Sequence, residues 1–159
     1  MKKGKQKTKL LILDNIRSAY NVGSLFRTAD AAGVSKIYLV GITPGPVDRF
    51  GRKRLDIQKS ALGAEDSVSW EHSKNMKQLL LKLKAEGVFV VALEQSPQSI
   101  SYKKLTVEYP VAFIVGNEVC GVSRSALQQS DAIAEIPMRG KKESLNVTVA
   151  AGVVLFNTG

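Results

Sequence analysis

Hydrophobic runs alternate with amphipathic stretches along the chain. Short apolar runs that favour buried strands occur at residues 10–13, 36–40, 67–70, 88–93, 111–115 and 132–136. Apolar residues recur at helical spacing over residues 22–32 and 75–86, and a further helix is expected to begin near Ser123. Residues 145–156 are apolar nearly all round, which predicts a buried helix, whereas the Pro, Gly and charged residues of 41–56 predict a loop.

This alternation of strands and helices predicts an α/β fold with a largely parallel sheet and helices on both of its faces. A chain of 159 residues with 44% apolar residues is long enough for one real core and too short to make two ordinary domains. We therefore expect a single domain over residues 10–159, preceded by a basic tail at residues 1–9.

Charge and cysteine content narrow the choice of partner and compartment. The chain has 23 Lys and Arg against 14 Asp and Glu, which gives a net charge of +9 and favours a polyanionic partner. Charge alone does not distinguish RNA from DNA or a membrane surface. The single cysteine, Cys120, cannot form an internal disulfide, and no signal peptide or membrane-spanning run is present. These features predict a cytoplasmic protein with no membrane association.

Several ligand classes lack support in the sequence. No G-x-G-x-x-G follows the first strand and no P-loop motif occurs, so neither an ordinary dinucleotide site nor a P-loop is predicted. A single histidine, His72, and one cysteine are too few ligands for zinc, so no metal site is expected. We interpret His72 as a surface residue in a polar turn.

Three segments combine apolar runs with polar residues at their ends. The first is Asn21-Val-Gly-Ser-Leu-Phe-Arg27, the second spans residues 113–123 and the third spans residues 136–156. Strand ends are where α/β proteins place ligands. Each segment also has a purely structural interpretation, in which Asn21 and Ser144 are N-caps and Glu118 caps the turn after its strand. Local sequence leaves both interpretations open.

The three segments, in this order, resemble the motifs of the SpoU (TrmH-like) branch of the SPOUT RNA methyltransferases, over about residues 10–156. The resemblance implies a C-terminal trefoil knot within roughly residues 111–156, an S-adenosylmethionine pocket shaped by that knot, and a homodimer. One departure is visible, because Val119-Cys120 stand where relatives often have Gly-Glu or similar.

The resemblance also implies the site residues. The expected catalytic residues are Asn21, Arg27, Glu118, Ser144 and Asn146. The expected cofactor-binding residues are Leu93, Gly116, Asn117, Ile136, Met138, Ser144 and Leu145.

The implied reaction is methyl transfer from S-adenosylmethionine to a ribose 2′-hydroxyl of transfer or ribosomal RNA. Arg27 is expected beside the reacting ribose. A guanidinium keeps its proton, so we hypothesise that Arg27 stabilises the developing alkoxide and holds a phosphate, with Glu118 and Asn146 fixing its orientation. Two alternatives are an inactive RNA-binding module of the same fold and an enzyme that uses a different nucleotide.

RNA contacts are expected on both sides of the site. The candidate phosphate-binding residues are Arg49, Arg52, Lys53, Arg54, Lys141 and Lys142. Aromatic residues make up only 6% of the chain, so we expect contacts with the RNA backbone to carry much of the affinity. The sequence leaves the identity of the RNA open.

Overall fold

The strands of the protein form one seven-stranded sheet in which every pairing is parallel. The computed structural model describes residues 7–158, and most of the predicted basic tail lies outside these described residues. The strands are β1 (Lys9–Asp14), β2 (Lys36–Val40), β3 (Ser69–Ser73), β4 (Phe89–Leu93), β5 (Ile100–Ser101), β6 (Val111–Gly116) and β7 (Ala132–Glu135). Their order across the sheet is β3-β2-β1-β6-β4-β7-β5. The predicted parallel α/β fold is confirmed, and the trefoil knot stays a prediction.

Helices cover both faces of this sheet. They are α1 (Ala19–Ala31), α2 (Leu55–Ala61), α3 (Ala64–Ser67), α4 (Met76–Ala85), α5 (Arg124–Gln129) and α6 (Val147–Asn157). Side chains along β1 alternate between the two layers: Leu11 and Leu13 belong to the core beneath α1, α2 and α6, while Leu10 and Ile12 belong to the core beneath α4 and α5. The alternation explains why this central strand is apolar almost throughout.

Two predicted helix caps are wrong in position. The N-cap of α1 is Ser18, whose side chain accepts a hydrogen bond from the Asn21 backbone N–H. The N-cap of α6 is Asn146, whose side chain accepts from Thr148 N–H, so Ser144 is not the cap. In both cases a residue of equal capping ability two or three positions away takes the cap position. The amide of Asn21 is thereby left available for other contacts.

The sequence did not predict three short elements of the structure, which are α2, α3 and β5. The loop predicted over residues 41–56 ends at Arg54, and α2 and α3 follow it before β3 begins. Strand β5 at the sheet edge has only two residues. Elements of two to seven residues offer too few periodic positions for a pattern to stand out from chance.

The last helix is only partly buried, contrary to the expectation for residues 145–156. Ala151, Val154 and Leu155 are buried, but Val149 and Phe156 are 51% and 59% exposed. An apolar face of α6 is therefore left uncovered in the single chain.

Lys9, expected in the tail, is the buried first residue of β1, and its ammonium donates a 2.9 Å hydrogen bond to the Leu155 carbonyl.

Within residues 7–158, no helix is long and apolar enough to cross a membrane. A cytoplasmic location stays a prediction from the sequence.

Candidate active site

A cavity of about 810 Å³ lies at the carboxyl ends of β4, β6 and β7. Its walls come from the loops that follow these three strands, from the first turn of α1 and from one side of α6. Parallel sheets bind ligands at this edge, and the volume falls within the range of small-molecule sites.

Acidic side chains line this cavity although the protein is strongly basic. Glu94, Glu118 and Glu135 contribute to its walls, and no lysine or arginine of residues 7–158 lines it. Apolar side chains, among them Leu93 and Ile136, provide much of the remaining surface. Such a site suits a ligand with a flat apolar part and a positive charge.

All seven residues predicted to bind the cofactor line the cavity. They are Leu93, Gly116, Asn117, Ile136, Met138, Ser144 and Leu145. Met138 and Leu145 make no hydrogen bond with the rest of the described chain, so their backbone groups are available to a ligand. The Ser144 side chain is likewise without an internal partner in residues 7–158.

Glu118 joins the loop after β6 to the start of α1. Its carboxylate accepts hydrogen bonds from the backbone N–H groups of Arg17 and Ser18, each at 3.1 Å, and from Asn21 Nδ2 at 3.3 Å. Burial acts to raise the pKa of this carboxyl, but the hydrogen bonds outweigh burial and hold the pKa below its usual value. The stabilisation by these contacts is present at neutral pH and is lost as the pH falls through that lowered pKa.

Asn21 also links α1 to the beginning of α6. Its Oδ1 accepts a 3.2 Å hydrogen bond from Asn146 Nδ2, while Asn146 Oδ1 caps α6. Three residues from three sequence segments, Glu118, Asn21 and Asn146, thus form one hydrogen-bonded chain along the cavity wall.

Substitution of Asn146 by alanine is expected to cost more stability than loss of a helix cap alone. Asn75→Ala is the matched control, because Asn75 caps α4 through Gln78 N–H and lies away from the cavity. Each variant loses a cap, but only Asn146→Ala also leaves Oδ1 of the buried Asn21 without its hydrogen-bond donor. We expect it to lose about 0.5–1.5 kcal/mol more than Asn75→Ala in urea unfolding. Equal losses would show that the link to Asn21 contributes nothing.

Gly116 lines the cavity and also has a packing role within the chain. A Cβ at this position would lie 2.2 Å from Gly121 C and Val122 N, so the absence of a side chain allows loop 117–122 to approach the end of β6. That loop closes through two hydrogen bonds between the backbones of Asn117 and Gly121. Gly116 therefore shapes the cavity, because it allows loop 117–122 to pack closely against the end of β6.

Gly116→Ala should destabilise the protein, because the clash is with backbone atoms that no side-chain rotation can relieve. The expected loss is about 1–3 kcal/mol in chemical unfolding. Gly140→Ala is the control, since a Cβ there meets nothing within 4 Å, and it should change stability by less than about 0.5 kcal/mol. Similar behaviour of the two variants would contradict the proposed packing of the loop.

Arg27 is the one expected catalytic residue that lies outside the cavity. It follows Asn21 by six residues on α1, about 9 Å along the axis and about 120° around it. It is exposed in a separate hollow beside Thr148 and Phe156 of α6, and it makes no hydrogen bond or ion pair with other described residues. The expectation that Glu118 and Asn146 orient Arg27 is wrong for the single chain, because both instead hold Asn21.

Sequence reasoning missed polar residues that support the cavity from the loop after β4. The Glu94 carboxylate accepts a 2.8 Å hydrogen bond from Val122 N–H, and its Oε2 lies 2.0 Å from where a Cβ of Gly121 would be. Gln95 Nε2 donates to the Glu143 carbonyl and ties this loop to the glycine- and lysine-rich loop. The only signal in the sequence was their place directly after a buried strand.

Two of the residues expected to bind RNA phosphates are already paired. Arg52 contacts Asp48 at 3.0 Å and Arg54 contacts Asp56 at 2.7 Å, and these surface pairs are exposed enough to exchange partners at little cost. The other candidates are exposed, with no ion pair to any described residue; they are Arg49, Lys53, Lys141 and Lys142.

His72 is exposed at the outer strand β3, with its ring edge-on to Trp70 at 5.7 Å between centroids. No group of three His, Cys, Asp or Glu side chains placed to hold a metal ion occurs in the described part of the chain.

Comparison with known proteins gives consistent matches over nearly the whole chain. The profile of the SpoU rRNA Methylase family matches residues 8–156. The 23S rRNA (guanosine-2'-O-)-methyltransferase RlmB of Neisseria meningitidis serogroup B is 34% identical over 94% of this chain and 57% of its own length. The tRNA (guanosine(18)-2'-O)-methyltransferase of Aquifex aeolicus is 32% identical over 96% of this chain and 69% of its own length.

Solved structures agree with these sequence matches. An AdoMet-bound rRNA methyltransferase from Sinorhizobium meliloti superposes with a TM-score of 0.85 at 32% identity, over 95% of this chain and 55% of that one. The A. aeolicus TrmH/SpoU tRNA modifying enzyme gives a TM-score of 0.83 at 31% identity, over 96% of this chain and 74% of that one. The chain thus spans a little over half the length of the curated rRNA-modifying relatives it matches.

Proposed function

Because the chain belongs to the SpoU rRNA methylase family, we propose that it transfers a methyl group from S-adenosylmethionine to a ribose 2′-hydroxyl of ribosomal or transfer RNA. The observation that carries the proposal is the contrast between an acidic cavity and its basic surroundings. A cation is favoured inside the cavity and a polyanion outside it. This is the distribution that a positively charged sulfonium cofactor and an RNA substrate require.

The cavity residues fit S-adenosylmethionine. The free backbone groups near Met138 and Leu145 can bind the polar edge of an adenine, with Leu93 and Ile136 as apolar walls. Glu94 and Glu118 put negative charge in the same cavity as the sulfonium. When bound, the cofactor supplies a methyl group that is already electrophilic.

The task left to the protein is to align the ribose hydroxyl and to stabilise the charge that develops on its oxygen. Asn21 lines the cavity at the end nearest α1, held by Glu118 and Asn146, and we assign these three residues the positioning of the ribose. The exposed Ser144 hydroxyl is free to donate a hydrogen bond to the same substrate. Arg27 supplies the positive charge.

For Arg27 to reach a cavity, a second copy of the chain is required. The hollow around Arg27 is bordered by exposed apolar side chains, including Tyr20 and Phe156, and contains a buried Thr148 hydroxyl with no hydrogen-bond partner among the described residues. A homodimer that pairs this face with its copy covers the apolar surface of α6. We place the Arg27 of one protomer beside the cavity of its partner.

RNA binding should weaken steeply with salt, because the candidate contacts are to phosphates. Replacing Lys141 and Lys142 together by alanine is expected to reduce the slope of log K against log salt by about 1.4–1.8, which is two phosphate contacts. Lys77→Ala together with Lys82→Ala, on the exposed side of α4, is the charge-matched control and should leave the slope unchanged. A wild-type affinity that does not change with salt would contradict phosphate-led binding.

The direct test combines calorimetry with S-adenosylmethionine and transfer of labelled methyl groups to ribosomal and transfer RNA from cells that lack the protein. Binding with transfer supports the proposal, and mapping of the labelled ribose identifies the substrate. Leu145→Arg, which adds a cation to the cavity, should abolish both signals. Cofactor binding without transfer to either RNA favours the alternative of an inactive RNA-binding module, and no cofactor binding removes the proposed function.

A further inference from the structure

Phe50 is an aromatic side chain that the protein holds in solvent. It lies in the loop between β2 and α2, among four of the candidate RNA-binding residues, and it is 67% exposed. A single exposed apolar side chain is common on protein surfaces, so the role of this ring has to be argued from the groups around it.

The backbone of the loop forces this exposure. Gly51 N–H donates to the Asp48 carbonyl across a tight turn, and Gly51 has a φ of +77°. The Asp48 carboxylate accepts hydrogen bonds from Phe50 N–H at 2.8 Å and Arg52 N–H at 3.0 Å. The pairing of Val47 with Lys53 closes the base of the turn. Phe50 therefore lies at the tip of a hydrogen-bonded turn rather than in an unconstrained segment.

Two guanidinium groups flank the ring. The guanidinium carbons of Arg49 and Arg52 lie 4.8 and 5.1 Å from the centroid of the Phe50 ring. Both contacts are within cation–π range. The cluster therefore offers planar aromatic and guanidinium surfaces together with positive charge, the combination that binds a nucleobase and its phosphate.

The cluster lies at the same edge of the sheet as the acidic cavity. Val40 at the end of β2 pairs with Asp14 of β1, which pairs with Gly116 of β6, so about 10 Å separates the strand ends that carry the loop and the cavity. The loop is fastened to the connection between β1 and α1 by the 3.0 Å hydrogen bond from Ile16 N–H to Thr43 Oγ1. The separation of the two strand ends is of the order of one or two nucleotides of extended RNA.

We propose that Phe50, with Arg49 and Arg52, forms a stacking platform for an unpaired nucleobase close to the ribose that is methylated. The inference rests on the proposed function for the identity of that ribose. It also specifies the substrate class: the target lies in a loop, bulge or single-stranded segment, because bases within an A-form duplex do not expose their faces.

The test uses the full chain and a short single-stranded oligoribonucleotide that carries 2-aminopurine, whose fluorescence reports stacking. Phe50→Leu, which keeps an apolar side chain but removes the ring, should bind this RNA about 5- to 150-fold more weakly. Phe50→Tyr should bind within about threefold of wild type, because the ring is retained. Leu55→Ala is the control for loss of an exposed apolar residue beside the loop and should change affinity by less than about twofold.

Duplex RNA of the same composition separates stacking from general binding. Phe50→Leu should bind duplex RNA as wild type does, and calorimetric binding of S-adenosylmethionine should be unchanged. The inference is overturned if Phe50→Leu binds the single strand like wild type, or if it loses single-strand and duplex binding equally. If wild type transfers no methyl group while Phe50→Leu still loses single-strand affinity, the proposed function fails and the stacking platform stands.

Discussion

Replacement of Arg27 by alanine should lower the single-turnover rate of methyl transfer by about 100- to 1,000-fold, the usual effect of removing a group that stabilises developing negative charge. Because Arg27 lies outside the cavity of its own chain and has no partner among the described residues, binding of S-adenosylmethionine and stability should stay near wild type. Arg27→Lys tests the geometry: retention of nearly the full rate would show that a point charge suffices and that a bidentate guanidinium contact is not needed.

A mixing experiment tests whether Arg27 acts across the proposed dimer. Co-expression of Arg27→Ala with Leu145→Arg produces mixed dimers in which one cavity is intact and faces an intact arginine from the partner. We expect recovery of about one quarter of the wild-type rate, because half of the dimers are mixed and one site in each is complete. No recovery, in mixtures shown to contain mixed dimers, would mean that Arg27 serves the cavity of its own chain or none.

Glu118→Gln should lower the single-turnover rate by about 10- to 150-fold at saturating cofactor. The substitution keeps the shape of the side chain but replaces one carboxylate oxygen by an amide NH2 group. That donor then faces either the Arg17 N–H or the Ser18 N–H, so a charge-assisted contact worth about 1.5–3 kcal/mol is lost. Asn21 is then held from position 118 by a neutral amide at most, and only its contact with Asn146 is unchanged.

Glu135→Gln provides the matched control for this variant. Glu135 lines the same cavity and carries the same charge, but its side chain holds no other described residue in place. Its replacement should change the rate by less than about threefold. If both glutamine variants lose the rate equally, the negative charge of the cavity matters and the connection between Glu118 and α1 does not; if both keep the rate, neither does.

The class of fold and the main strands follow from the sequence because their apolar runs are continuous. β1, β2 and β6 are central, covered by helices on both sides, and accept almost only apolar residues. The exposed part of α6 was not predictable in this way. An apolar surface that a second protomer can cover has the same composition as one buried in its own core, so hydropathy does not separate the two cases.

Motif resemblance located the cavity residues well but misjudged how they are connected. The cavity is lined by residues at the ends of strands. The sequence indicates these ends at Leu93, Gly116 and Ile136, because the apolar runs stop there. The contacts of Glu118 and Asn146 with Asn21 depend on where α1 begins, and that point moved by three residues once Ser18 took the cap. Arg27 faces away from the cavity because both residues lie within α1, where six residues turn its side chain by about 120° from that of Asn21.

The pairing of β1 with β6 makes the cavity a late product of protein synthesis. Residues near 14 cannot pair with β6 until about a hundred further residues have been synthesised. Lys9 can bind the carbonyl of Leu155 only later still. A nascent chain on the ribosome therefore carries the first motif well before any pocket exists for a methyl donor. Such distant parallel pairings are slow to form, and in the meantime the edge of β1 that will pair with β6 is open to chaperones.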